Sequence, residues 1–101
     1  MRDKEYKHTQ TIKSANIDNK TLAVEVGDLY YDSLSEFLRE LSVKLANDAK
    51  ADSKRGREKL ANSLKMASSH ILEASKYIDT AWDICKPHVK EYFKTKKSNR
   101  V

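Results

Sequence analysis

Cys85 and His88 stand three residues apart, and on a helix a thiolate and an imidazole at that spacing share one face and can chelate a transition metal. Two ligands per chain leave a tetrahedral site half filled, so two such pairs would have to meet across a symmetric dimer. Both residues also fall on an apolar heptad, where a small thiol and a half-polar imidazole are ordinary packing choices. Packing is the expectation, and no metal is assigned. His70 with Glu73, and Glu36 with Glu40, likewise share helix faces. A di-iron carboxylate bundle needs Glu-x-x-His twice, and the chain has it once, at Glu5 and His8. Glu36 and Glu40 read as a solvated face, with Glu40 and Lys44 an ion pair one turn apart. Two glycines, Gly27 and Gly56, cannot build a phosphate-cradling loop or a nucleophile elbow. The sequence therefore predicts no enzyme, no catalytic residue and no cofactor.

The element that carries the Cys-x-x-His pair is the strongest signal in the chain. Leu60, Leu64, Ala67, Ile71, Ala74, Ile78, Ala81, Cys85, His88 and Tyr92 recur at alternating steps of four and three, the seam of a long helix packed along one stripe. Ala67, Ala74 and Ala81 make one of its two rows small, and Ala61, Ser68 and Ser75 make the adjacent row small too. Small rows allow axes to approach toward the short end of the roughly 8–10 Å range. An antiparallel partner reached through a short connection fits that spacing.

Upstream, Ala23, Val26, Tyr30, Leu34, Phe37, Leu38, Leu41 and Leu45 hold one helical phase, predicting a first helix of about 33 residues over 19–51. A competing reading takes the alternation of Leu22, Val24 and Val26 as a short strand, with the helix starting at Asp28 or at Ser33-x-x-Glu36. Asn47–Lys59 has no large apolar residue and contains Gly56, so it marks a hairpin tip at about 50–57, with Asp52 or Ser53 capping the second helix. Pro87 removes a donor for the Asp83 carbonyl, which predicts a kink or break near Asp83. The expected organisation is a polar N-terminal arm at 1–20, irregular or a short strand, a helical domain at 21–94, and a frayed basic tail at 95–101. The fold class is all-α, an antiparallel hairpin of two long helices that dimerises into a four-helix bundle.

Leu72, Tyr77, Trp82, Ile84, Val89 and Phe93 spread around the second helix further than one partner helix can cover. They are the candidate interface, and Trp82→Ala or Ile84→Asp should leave a folded but smaller species. The function this supports is a small interaction or regulatory module that forms a homodimer; an accessory subunit bound to a different protein would use the same surface.

Charge supports an alternative. The formal net charge is +5 and the isoelectric point is near 9.3. Residues 50–65 hold six basic against two acidic groups and residues 86–101 six against one, while residues 21–49 hold six acidic against two basic. In a hairpin this gives positive ends and a negative waist. Lys54, Arg55, Arg57, Lys59, Lys94, Lys96 and Lys97 could then meet nucleic-acid phosphates. Against this, cations complement a helix C-terminus, and no basic stripe or Arg-aromatic interleaving is present. One cysteine excludes an internal disulfide and fits a reducing compartment. No apolar run approaches about 20 residues, and MRDKEYKHTQ lacks the apolar core of a signal peptide. The expectation is a cytoplasmic protein without a membrane partner.

Overall fold

The structure is a computed structural model that describes residues 8, 12 and 16–99, with side chains through Val89. It is all-α among the described residues apart from one isolated antiparallel bridge, Ile12 with Ile17. Its helices, in chain order, are α1 over Asn19–Gly27, α2 over Tyr31–Lys54 and α3 over Glu58–Asn99. The expected single helix across 19–51 is therefore two, and the strand reading of 21–27 is overturned.

The break has a local cause. Asp28 and Leu29 fold back to donate to the Val24 and Val26 carbonyls, ending α1, and Tyr30 takes an extended backbone before α2 starts. Apolar residues can keep a helical phase through such a break, so periodicity passes over it. At its other end α1 is capped by Asp18, whose carboxylate accepts from the Thr21 backbone N–H at 2.8 Å. Hydrogen bonding from Thr21, side chain first and backbone second, holds the Asp18 carboxyl below the usual carboxylate value. A depressed pKa means the cap stabilises α1 above the ordinary carboxylate pKa and is lost as pH falls through the folded value. Asp18→Ala should fray α1, read as faster amide exchange at Thr21 and Leu22; unchanged protection there would show that the cap is idle.

The tip is tighter than the sequence predicts, only Arg55–Arg57. Gly56 adopts φ +79°, its N–H donates to the Ser53 carbonyl at 3.0 Å, and Arg57 donates to the Asp52 carbonyl at 2.9 Å. These two bonds form a Schellman closure, which needs a left-handed residue at that position. Asp52 and Ser53 thus lie in the last turn of α2 instead of capping α3. The Ser53 hydroxyl does reach forward, donating to the Glu58 carboxylate. α3 runs on without a break through Pro87, so the expected break near Asp83 does not occur.

α2 and α3 pack antiparallel, and the line of contact is not the heptad seam. It is made of small residues on both helices: Ser35, Ser42 and Ala49 on α2, and Ala61, Ser68 and Ser75 on α3, all buried. The Ser35 hydroxyl donates to the Ser75 carbonyl at 3.0 Å, and the Ser68 hydroxyl donates to the Ser42 carbonyl at 2.7 Å. The two hydroxyls of Ser42 and Ser68 are also 3.1 Å apart. The same register brings Ala49 to Ala61. Serine suits this line because it is small enough for close approach and its hydroxyl finds a backbone acceptor. Among the described residues no buried side-chain polar atom lacks a partner.

Candidate interaction surface

With the contact line fixed at the serines, helical geometry decides where every large side chain goes. On α2, Leu34, Leu38, Leu41 and Leu45 all lie to one side of the Ser35–Ser42–Ala49 row. On α3 the seam, Leu60, Leu64, Ala67, Ile71, Ala74 and Ile78, lies to one side of the Ala61–Ser68–Ser75 row. In an antiparallel pair these two sides coincide, so both apolar rows open onto the same broad face. Burial agrees: Leu34, Leu38, Leu41, Leu45, Leu64, Ala67, Ile71 and Ile78 are half-buried, while Ala74 is exposed and Leu60 is 46% exposed.

Near the tip the groove between the rows holds a cavity of about 800 Å³, lined by Leu41, Leu45, Leu60 and Leu64, by Lys44 and Asp48, and by His8 of the N-terminal arm. The reverse face of the hairpin carries charged groups beside the exposed Val43 and Leu72. Arg39 bridges to Asp79 at 3.4 Å there and donates to the Ser35 hydroxyl at 2.7 Å. With both partners about half exposed, that ion pair adds little stability.

Helix α1 has no fully buried residue, and its Leu22 and Val26 are half-buried. Its connection to α2 meets the far end of the hairpin, where Gly27, Leu29, Tyr30 and Tyr31 line a small hollow with Trp82 and Cys85. Tyr30 and Trp82 meet there with ring centroids 6.3 Å apart in a tilted arrangement favourable to aromatic pairs. The molecule is 16 Å deep in its shortest dimension, little more than one helix with its side chains.

The six candidate interface residues do not converge on one face. Trp82 and Val89 are half-buried on the seam side, Leu72 sits on the polar flank, and Tyr77 and Ile84 project from the back of α3 at 72% and 70% exposure. The side chain of Phe93 lies outside the described residues. Sequence reasoning passes over the α2 half of the contact line, although Ser35, Ser42 and Ala49 repeat at the same sevenfold spacing as the α3 row. Small polar residues give no signal in a search for apolar periodicity.

The basic tip is partly self-neutralised. Arg57 and Arg55 approach the Asp52 carboxylate at 3.3 and 3.8 Å, leaving Lys54 and Lys59 exposed beside them. Lys94, Lys96 and Lys97 fall where side chains are not described. Cys85 is a half-buried free thiol and His88 is exposed, and among the described residues no group of three or more potential ligands could hold a metal ion. His70 and Glu73 approach to 3.9 Å on an exposed surface. Among the described residues no helix is long and apolar enough to cross a membrane. Comparison with protein-family models, curated proteins and solved structures gives no match to this chain.

Proposed function

We propose that this chain is a small non-enzymatic interaction module that self-associates through the apolar side of its hairpin and acts by the assemblies it forms. One observation carries the reading: the buried hydrophobic residues among those described are two alanines, Ala49 and Ala61. Burying large aliphatic side chains is the main favourable term in folding, at about 1.5–3 kcal/mol each. Here the leucines and isoleucines of one face are left half-buried, and Leu60 on it is 46% exposed. A hairpin held by a serine line has little to offset the ordering of its residues, and covering that face would supply the missing term. Trp82 and Val89, on the same side of α3, extend the surface toward the C-terminal end. The lone thiol at Cys85 fits a reducing cytoplasmic setting.

Light scattering on a size-exclusion column at moderate salt, with absorbance followed at 260 and 280 nm, tests the proposal. The expected result is a mass near twice 11.6 kDa with a clean protein spectrum. A monomer carrying excess 260 nm absorbance would replace it with phosphate binding by the tip, through Lys54 and Lys59 with the two arginines. A monomer eluting with a different protein would make the chain an accessory subunit.

A further inference from the structure

Resting on the self-association reading, we infer that the occupant of the open face is a second copy of this chain, seated antiparallel about a two-fold axis that crosses α3 between Leu72 and Glu73. The seam selects this arrangement by its own size pattern. In that register Leu60 of one copy faces Cys85 of the other, and Leu64 faces Ala81. Ile71 faces Ala74, and Ile78 faces Ala67. Each large side chain meets a small one, so the two surfaces interdigitate. Sliding the copies by one heptad sets Leu60 against Ile78 in one direction and carries it past Cys85 to Tyr92 in the other. Both alternatives set Leu60 against a large side chain, although Ile71 still meets an alanine in each, so the Leu60 layer is the one that discriminates.

The same axis also fixes how the α2 rows meet. The serine bonds fix how α2 and α3 are aligned within a hairpin. Carried through that alignment, the same axis crosses α2 between Phe37 and Leu38, setting Leu34 against Leu41 and Phe37 against Leu38 of the second copy. All neighbouring helices of the resulting four-helix bundle run antiparallel.

Size and charge fit the same occupant. From Leu60 to Ile78 the face is about 27 Å long and, across two helices, about 20 Å wide. That is on the order of 500 Å² of footprint per copy and about 1,000 Å² for the pair, the lower bound of a specific interface. The chain is 35% charged, yet on α3 from Leu60 to Cys85 no charged residue falls on this side, and the α2 charges that line the groove, Lys44 and Asp48, neutralise each other at 2.7 Å. Interface centres are depleted of charge in the same way.

The native thiol provides the test. Leu60→Cys places a second thiol opposite Cys85 of the other copy, whereas within one chain the two lie roughly 37 Å apart along α3, far beyond the ~7 Å limit of a disulfide. Under mild oxidation Leu60→Cys should convert to covalent dimer on a non-reducing gel, while the wild-type chain and the Leu60→Cys, Cys85→Ser double variant should not. Leu64→Cys with Ala81→Cys, in a Cys85→Ser background, repeats the test at a second layer should the first variant fold poorly. A wild-type mass of two chains without cross-linking at either layer overturns this register and leaves self-association standing. Cross-linking in the Leu60→Cys, Cys85→Ser variant overturns it as well, since Leu60 would then meet Leu60. A wild-type mass of one chain overturns both the register and the reading beneath it.

Discussion

Ser42→Leu is expected to unfold the hairpin. Ser42 is 5% exposed and its hydroxyl lies 3.1 Å from that of Ser68 on the facing helix. A leucine there has no space unless the axes move apart, and overpacking of this kind costs about 1–3 kcal/mol or more. Separation also stretches the bond from the Ser68 hydroxyl to the Ser42 carbonyl, a further loss of about 1 kcal/mol. Against a contact line with two buried alanines, a loss of that size removes most of the stability. Circular dichroism at 222 nm should show a collapsed thermal transition. Ser42→Ala should cost only about 1 kcal/mol, because Ser68 keeps its backbone acceptor and nothing buried is orphaned. Equal melting of the two variants would mean that the helices do not meet along the serines.

Ala74→Glu is expected to halve the mass of the particle without unfolding it. Ala74 is exposed on the isolated hairpin, and glutamate is a good helix former, so the single chain should tolerate the change. In the two-fold assembly the new carboxylate faces Ile71 of the second copy, and an unpaired buried charge costs several kcal/mol. Symmetry imposes that cost twice. At about 1.4 kcal/mol for each tenfold, association should weaken by at least ~1,000-fold. Light scattering should report one chain with helicity retained. Ile84→Asp is the contrast: Ile84 projects from the back of α3, so its replacement should leave the mass unchanged, although the residue looks like an interface anchor in the sequence. A particle halved by Ile84→Asp and untouched by Ala74→Glu would move the contact to that outer stripe.

The two variants also separate what the sequence discloses from what it withholds. The helical class, the seam and the hairpin tip are legible in periodicity and in the scarcity of glycine and proline. The small row Ala61–Ser68–Ser75 is visible for the same reason. What periodicity cannot decide is which of two adjacent rows a partner helix occupies. The Leu60–Tyr92 seam is the stronger pattern, and it points to a helix neighbour, but the neighbour inside the chain takes the serine row. Close approach between small residues, with hydroxyl-to-carbonyl bonds across the line, wins over contact between leucines. The break at Gly27–Tyr30 is hidden because apolar phase is kept across it. The uninterrupted passage of α3 through Pro87 is hidden for the opposite reason: a proline weakens one turn locally, and a long helix can absorb the loss of one bond.

The three-residue tip has a consequence for how the molecule comes together. Across the hairpin, facing residues are 26 positions apart at Ser42–Ser68 and 40 apart at Ser35–Ser75, and the separation shrinks toward Gly56. Loop-closure entropy rises with separation, by about 0.6 kcal/mol for each doubling, so the first contact to form is the one beside the tip. Closing a loop of about ten residues takes roughly 10–100 ns, and each later layer then closes against one already in place. Assembly therefore runs as a zipper from Gly56 outward, and opening runs the other way, beginning at Ser35–Ser75. The tilted Tyr30–Trp82 contact sits just beyond that last layer, a clasp on the end of the hairpin that would otherwise be the first to part.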